Sequence, residues 1–173
     1  MKWQIDKEFH LEAGHRVWAQ KLDRPDLSIS TECACRHLHG HSYVVKVFVG
    51  SDTLNPEGMV IDFKNLEFVK RFLDDVLDHR FIIDINDPNF KLITNTDPQK
   101  IEVNFTPLSE LIGTEDSALQ LHWDSFVLVD FIPTSENICK HLKHWVQDQL
   151  GDVAKVTAVE LWETKKSHCR YED

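Results

Sequence analysis

The sequence has 173 residues and a mass of 20.2 kDa, and its 42% hydrophobic and 28% charged residues suit one globular domain and exclude a disordered, collagenous or coiled-coil chain. The formal net charge of −10 argues against binding of nucleic acid through a generally basic surface. Since no apolar run approaches the ~20 residues of a membrane span and the charged start lacks a signal-peptide core, we expect a cytoplasmic protein with reduced cysteines and no membrane partner.

The chain begins with two predicted strands joined by a long loop. Residues 3–12 alternate between apolar and polar side chains, which is typical of a strand with one buried face. Residues 16–36 have no regular period and are predicted to form the loop. The second strand covers residues 39–49, and the turn-rich residues 50–58 follow it.

Two amphipathic helices are predicted next. Apolar residues at helical spacing predict the first helix over residues 63–77, with Asp62 as its N-cap. The second helix is expected to begin at Thr134 or Ser135, either of which can cap it. Gly151 marks its end, because glycine readily adopts the left-handed conformation that follows many helices.

Two further strands complete the predicted core. Residues 155–164 form a long strand-like run, and residues 168–172 can pair with it. The resulting order of elements, β-β-α-α-β-β, predicts an α+β fold built on an antiparallel sheet.

Residues 84–131 do not fit this order and are predicted to be an insertion. Two strand-like runs, 100–105 and 125–131, predict a β-hairpin with a polar loop near residues 113–117. The insertion carries 2 Lys, no Arg and 9 Asp or Glu, so it holds −7 of the net charge. A segment this acidic repels anionic ligands, and we expect it to cover the outside of the protein or a subunit contact and to supply no catalytic residue. The alternative is a mobile surface excursion.

The densest chemical motif is a group of histidines and cysteines before the second strand. His39 and His41 lie two residues apart in a strand, so their imidazoles can reach one metal ion. His37 has the same parity, and spacing does not decide which two of the three are ligands. Two alternatives remain, namely a structural site using Cys33 and Cys35 and a surface cluster with no ligand.

Two other places carry candidate catalytic or binding residues. Asp78 and His79 close the first helix, and a carboxylate beside an imidazole can orient it; the alternative is an ordinary helix end. Glu163 shares the parity of Val159 and Leu161 on the last long strand. It is either a buried carboxylate that needs donors, which a ligand with several N–H groups would supply, or a solvated strand end.

The order of these motifs resembles one known family, that of the 6-pyruvoyl-tetrahydropterin and 6-carboxytetrahydropterin synthases. The motifs span nearly the whole chain outside the insertion. In order they are FHLEAGH at 9–15, CRHLHGH at 35–41, GMVIDF at 58–63, LDH at 77–79, PTSEN at 133–137 and ELWET at 160–164.

The resemblance implies the tunnelling fold, in which an antiparallel sheet carries two helices on one face. It further implies that three subunits join their sheets into a barrel, that two such trimers stack, and that active sites lie between subunits. We therefore expect a homo-oligomer, either a trimer or a dimer of trimers, formed by a single domain with the 84–131 insertion.

The resemblance also assigns the chemistry of the metal and the thiol. It makes Zn²⁺ the cofactor and implies the ligands His15, His39 and His41. Cys35 matches the catalytic cysteine of the carboxy-forming enzymes, whereas Cys33 has the spacing of the animal 6-pyruvoyl enzymes, so this chain satisfies both patterns.

The remaining matches concern proton transfer and the pterin. Asp78 and His79 match the proton-relay partners, and Glu163 matches the carboxylate that binds the pterin ring. Thr134 and Glu136 lie in the segment that borders the pterin pocket.

The implied reaction converts 7,8-dihydroneopterin triphosphate to 6-carboxy-5,6,7,8-tetrahydropterin, releasing acetaldehyde and triphosphate for the synthesis of 7-deazaguanine and queuosine. Two alternatives remain open. One is the 6-pyruvoyl synthase of the tetrahydrobiopterin pathway, and the other is a non-catalytic tunnelling-fold protein that keeps zinc for structure.

Overall fold

The structure is a computed structural model, and it describes residues 1–21, 24–28, 33–97 and 102–173. Seven strands form one sheet in the order β4-β5-β3-β1-β2-β6-β7. The strands are β1 (Trp3–His15), β2 (His39–Ser51), β3 (Arg80–Asp84), β4 (Asn104–Pro107), β5 (Phe126–Val129), β6 (Lys155–Thr164) and β7 (Ser167–Tyr171).

Five α-helices and several single turns connect the strands. The helices are α1 (Glu67–Phe72), α2 (Phe90–Thr94), α3 (Leu108–Leu111), α4 (Ser117–Trp123) and α5 (Ser135–Leu150). A 3₁₀ turn at Phe63–Leu66 precedes α1 and a π turn at Leu73–Leu77 follows it. Within the described residues, no helix is long and apolar enough to cross a bilayer.

The described residues divide into two compact units, and the first contains most of the predicted core. Its residues are Met1–Glu12, His41–Asp78 and Ser135–Asp173. Strand β2 pairs antiparallel with β6, and β6 pairs antiparallel with β7. Helix α5 packs on β6 and β7 and buries the side chains of one face.

The second unit comprises Ala13–Gly40 and His79–Thr134. Here β3 lies parallel to the end of β1 and parallel to β5, and β4 pairs antiparallel with β5. Its core is a cluster of buried apolar side chains from the strands and short helices: Ile83, Phe90, Val103, Leu108, Trp123, Phe126 and Leu128.

The sequence correctly predicted the long elements. Side chains of β1 alternate in burial from Phe9 to His15, and the first helical region covers the predicted residues 63–77. The Asp62 side chain accepts a hydrogen bond from the Lys64 N–H at 2.8 Å, which confirms the N-cap. Gly151 has a φ of +56° directly after α5, as the predicted helix end requires.

The prediction for the insertion was wrong in part. The structure contains the antiparallel pair β4–β5, but α3 and α4 join these strands instead of a polar loop. Asp116, which lies within that predicted loop, caps α4 by accepting hydrogen bonds from the N–H groups of Ala118 (2.9 Å) and Leu119 (3.2 Å). Residues 100–101 of the first predicted strand lie outside the described residues.

Strand β3 was missed, and with it the parallel part of the sheet. Its residues Phe81, Ile82 and Ile83 form a short apolar run without alternation. A strand that is buried on both faces between parallel neighbours has this pattern, and a run of three residues is too short to assign from sequence. The predicted antiparallel sheet therefore describes β2, β6 and β7, whereas β1–β3 and β3–β5 are parallel pairs.

Candidate metal and catalytic site

His15 ends strand β1 and is buried, with 1% of its surface exposed. Its Nδ1 atom lies 2.6 Å from the carbonyl oxygen of Pro133. Because a carbonyl oxygen only accepts hydrogen bonds, Nδ1 carries the proton and donates it. The second ring nitrogen, Nε2, therefore keeps a lone pair, which is the form in which histidine binds a metal.

His39 and His41 begin strand β2 and come close to His15. The Nδ1 atom of His39 donates to the carbonyl oxygen of His37 at 2.8 Å, so His39 has the same tautomer as His15. The rings of His15 and His39 lie 4.4 Å apart, and the ring of His41 packs edge-on against Tyr43. One potential ligand atom from each of the three histidines lies within 4.8 Å of the others.

Two glycines next to these histidines allow the backbone to pack tightly. A Cβ atom on Gly40 would lie 2.9 Å from the carbonyl oxygen of Ala13, and one on Gly14 would lie 2.5 Å from the ring of Phe81. Any side chain at these positions would force the backbone or the Phe81 ring to move. The glycines thus permit the close approach of the chain at His15 and His39.

Among the histidines that spacing left open, the structure groups His39 and His41 with His15. His37 contributes its backbone carbonyl, which orients His39, while its own side chain is exposed. Within the described ranges, no other group of three histidine, cysteine or acidic side chains is brought as close, and neither Cys33 nor Cys35 belongs to such a group. Three imidazoles with buried Nε2 atoms on His15 and His39 are a donor set that suits a divalent metal ion with open coordination positions.

Cys33 and Cys35 lie at a 3₁₀ turn formed by Ala34–Arg36, and both are half-buried and outside any disulfide. The carbonyl oxygen of Cys35 accepts a hydrogen bond from the Val17 N–H at 2.8 Å. This bond ties the cysteine turn to the segment that follows His15, while the choice between the two thiols stays a prediction.

The buried thiol of Cys139 is chemically different. It donates to the carbonyl oxygen of Val159 at 3.0 Å, and burial raises its pKa to about 12. Cys139 therefore stays protonated and packs as a small apolar group.

Asp78 and His79 follow the π turn at the end of the first helical region. One oxygen of Asp78 accepts a hydrogen bond from the Glu12 N–H at 2.7 Å, which holds this carboxylate on strand β1. His79 is exposed and has a φ of +58°, a left-handed conformation that is uncommon for residues other than glycine. Such conformations cluster at functional sites, which is consistent with the predicted role of His79.

The three predicted pterin-binding residues lie on different elements. Glu163 is half-buried at an irregularity in the pairing of β6 with β7, where a bulge changes the direction of side chains. Thr134 precedes α5 and donates its N–H to the carbonyl oxygen of Ile132 at 2.7 Å. Glu136 is exposed in the first turn of α5.

Sequence reasoning missed the groups that orient His15 and His39. These are the carbonyl oxygens of Pro133 and His37. Every residue has a backbone carbonyl, so no side-chain pattern could have indicated these contacts.

Comparison with known proteins supports a single relationship over the whole chain. The family model described as 6-pyruvoyl tetrahydropterin synthase matches residues 4–173. A protein of Aquifex aeolicus named 6-carboxy-5,6,7,8-tetrahydropterin synthase is 34% identical, with 100% of this chain and 99% of that protein covered. The protein of that name from Haemophilus influenzae is 30% identical, with 99% of each chain covered.

Solved structures agree with this relationship. An uncharacterised protein of Wolinella succinogenes has a TM-score of 0.88 and is 41% identical, with 99% of this chain and 98% of that chain covered. The 6-pyruvoyl tetrahydropterin synthase of Caenorhabditis elegans has a TM-score of 0.59 at 20% identity, with 99% and 95% covered. The α+β tunnelling fold predicted from the sequence is confirmed by this likeness.

Proposed function

The chain belongs to the 6-pyruvoyl tetrahydropterin synthase family, and on that premise we propose that it is a lyase that makes 6-carboxy-5,6,7,8-tetrahydropterin. Its substrates are 7,8-dihydroneopterin triphosphate and water, and the other products are acetaldehyde and triphosphate. The observation that carries the proposal is the group of His15, His39 and His41, whose ligand atoms lie within 4.8 Å of one another. The names of the full-length relatives favour the carboxy product.

Zinc is the metal that these histidines would hold. Neutral imidazole suits Zn²⁺, and three protein ligands are typical of catalytic zinc sites. When bound, the ion supplies Lewis-acid stabilisation of negative charge on the oxygens of the substrate side chain. His15 and His39 are set up for this role, because each donates from Nδ1 to a backbone carbonyl and leaves Nε2 for the metal.

Cys35 is the proposed base that removes protons from the substrate side chain. Its turn is linked to the chain that leaves His15 by the bond from the Val17 N–H to the Cys35 carbonyl oxygen, and Cys35 lies four residues before His39 in the sequence. His79, which follows Asp78 in the chain, would carry the proton between thiol, substrate and solvent, and its exposed ring suits this exchange.

Glu163 is the proposed anchor of the pterin ring. A carboxylate can accept two hydrogen bonds from the amino and ring N–H groups of a pterin, and charge-assisted bonds of this kind are strong and directional. Thr134 and Glu136 are proposed to line the same pocket, as the resemblance implies.

We propose that the enzyme is a homo-oligomer of single-domain subunits, either a trimer or a dimer of trimers, with a cytoplasmic location that fits cysteines outside any disulfide. Among the described residues, β4 and β7 are the outer strands of the sheet, and outer strands favour pairing with another chain. The 84–131 insertion is proposed to supply no residue that reacts with substrate.

A second candidate is the 6-pyruvoyl synthase reaction, in which triphosphate is eliminated and the side chain is kept. The observation that favours it is the position of Cys33, six residues before His39, which matches the spacing of the animal enzymes. A non-catalytic zinc protein is a third candidate, but it would not need Cys35, Asp78, His79 and Glu163.

Product analysis separates these candidates. The zinc-loaded protein is incubated with 7,8-dihydroneopterin triphosphate, the pterin is identified by mass spectrometry, and acetaldehyde is measured. We expect the carboxy product with one acetaldehyde per pterin. A pyruvoyl product without acetaldehyde would support the second candidate, and unchanged substrate would support the third.

A further inference from the structure

Two carboxylates of the insertion lie against the segment that leaves His15. Asp84 is the last residue of β3 and Asp87 lies in the turn that follows it, and both are buried, with 2% and 4% of their surface exposed. Neither is part of the proposed chemistry. A buried carboxylate requires hydrogen-bond donors or a cation, so the partners of these two residues indicate what they do.

Their partners are the side chains that flank Val17. The indole N–H of Trp18 donates to Oδ2 of Asp84 at 2.8 Å. The guanidinium of Arg16 pairs with Oδ2 of Asp87, with 3.2 Å from Nε to the oxygen. The insertion thus binds both neighbours of Val17.

The other oxygen of each carboxylate is used to fix the turn itself. Oδ1 of Asp84 accepts from the N–H of Asn86 at 2.9 Å and from its side-chain amide at 3.0 Å. Oδ1 of Asp87 accepts from the Asn89 N–H at 2.8 Å. Each carboxylate is therefore held in one orientation, with Oδ2 directed at its partner from the His15 segment.

Val17 itself binds the cysteine turn through the bond from its N–H to the Cys35 carbonyl. Three consecutive residues after His15 are thus fixed, two by the insertion and one to the cysteine turn. Hydrogen bonds at Val17 and Trp18 and an ion pair at Arg16 hold this segment in place, and a small displacement of a metal ligand or reacting group has a large effect on rate.

We propose that Asp84 and Asp87 are positioning residues that hold His15 and Cys35 in their working arrangement through Trp18 and Arg16. The part that concerns Cys35 rests on the proposed function, whereas the part that concerns His15 requires only that the histidines bind a metal. The acidic insertion then has a role in the site although it contributes no reacting group.

The test compares three variants with a matched control. Trp18→Phe keeps the ring and removes the N–H donor, and Asp87→Asn turns an amide donor toward Arg16 while leaving Oδ1 in place. The pair Arg16→Gln with Asp87→Asn removes both charges, so that no unpaired buried charge prevents folding. Glu115→Gln removes an exposed charge of the same insertion and controls for net charge.

Two readouts are needed besides turnover. The dissociation constant for Zn²⁺ is measured by competition with a chromogenic chelator, and the rate of Cys35 alkylation by iodoacetamide is measured by peptide mass spectrometry. We expect each of the three variants to weaken zinc binding about tenfold and to slow alkylation of Cys35 severalfold, with Glu115→Gln unchanged. A stability role alone would lower the melting temperature and leave both values unchanged well below it.

Zinc affinity and Cys35 alkylation within twofold of wild type in folded Trp18→Phe and in the Arg16→Gln, Asp87→Asn pair would overturn the inference. Failure of the wild-type protein to convert 7,8-dihydroneopterin triphosphate is a separate result. It would reject the proposed function, and the zinc measurements would still decide the positioning of His15.

Discussion

The long strands β1 and β2 differ from the short strands β3 and β5 in how their side chains are buried. In β1 and β2 buried residues alternate with exposed or half-buried ones, whereas all four residues of β5 are buried. The alternating strands carry the three candidate metal ligands at their ends, and the short strands carry none. We therefore expect mutations at the ends of the long strands to change zinc binding and turnover. Mutations around the short strands are expected to change stability instead.

The largest expected effect lies at the end of a long strand. His39→Ala removes one of three clustered ligands, so we expect loss of stoichiometric zinc binding and of turnover while the fold remains. Zinc content is measured by atomic spectroscopy after dialysis. The matched control is His10→Ala, which changes an exposed histidine of β1 and should keep both zinc and activity. Unchanged zinc content in the His39 variant would reject this site.

A smaller loss of rate is expected at the cysteine turn. Cys35→Ala should keep zinc and pterin binding but reduce kcat by roughly 10²–10⁴, the range for removal of a general base. Cys33→Ala is the control, since it removes a half-buried thiol of the same turn. The opposite pattern, with Cys33→Ala inactive and Cys35→Ala active, would make Cys33 the working base.

In the core of the second unit, which contains the short strands, a mutation should change the free energy of unfolding and leave zinc binding and turnover intact. Leu108 is fully buried in the cluster of the second unit, and Leu108→Ala should lower the free energy of unfolding by about 2–5 kcal/mol. Leu121→Ala changes a 70% exposed leucine of α4 and should stay within about 0.5 kcal/mol of wild type. Urea unfolding measures both. Loss of zinc in folded Leu108→Ala would break the division between the two kinds of strand.

A variant of Glu163 tests whether the long strand β6 also carries a functional residue, in this case one that binds the substrate. Glu163→Gln keeps the shape of the side chain but removes its charge, so we expect weaker pterin binding by roughly 1.5–3 kcal/mol, the value of a hydrogen bond to a charged group. Calorimetry with a non-reacting pterin measures this. Glu160→Gln changes a neighbouring glutamate of the same strand that pairs with Arg170, and it should leave pterin affinity unchanged. Equal affinity of wild type and Glu163→Gln would argue against the anchor.

The smallest effect is expected at an ion pair between the middle of α5 and Asp173. Lys143 and His144 bind the Asp173 carboxylate and lower its pKa from 3.8 to about 2. Because the folded-state pKa is the lower one, the ion pair stabilises the fold above pH 3.8, and this contribution is lost as the pH falls toward 2. The half-exposed carboxylate keeps the effect small.

The measurement is the free energy of unfolding between pH 5 and pH 2. Asp173→Asn should flatten the decline in this range relative to wild type, and Asp148→Asn, at an exposed carboxylate of α5, should not. Parallel curves for wild type and Asp173→Asn would contradict the assignment.

What could be predicted from the sequence follows the same division. Strands with one solvent-exposed face, such as β1 and β6, can be recognised from their alternation of apolar and polar residues. Asp62 and Gly151 mark where helices begin and end. Strand β3 is hidden because burial on both faces removes the alternation. The helical link between β4 and β5 was missed because the cap residue Asp116 lies in a polar run that is equally typical of a loop.

The candidate site divides in the same way. The pairing of His39 with His41 could be predicted from the sequence, because alternate residues of a strand share a face. The approach of His15 depends on a long-range contact with Pro133 and on the close packing at Gly40, and neither leaves a local pattern in the chain. Family resemblance supplied His15, and the structure supplied the physical reason.

The left-handed backbone at His79 sets a limit on thermal adaptation of this protein. A non-glycine residue in this conformation costs about 1–2 kcal/mol relative to glycine, and asparagine tolerates it better than histidine. Selection for heat resistance alone would therefore favour Gly or Asn at position 79, and either change would discard the imidazole. A lineage that needs this imidazole must gain its heat resistance elsewhere in the chain. Stability and activity therefore make opposite demands on residue 79.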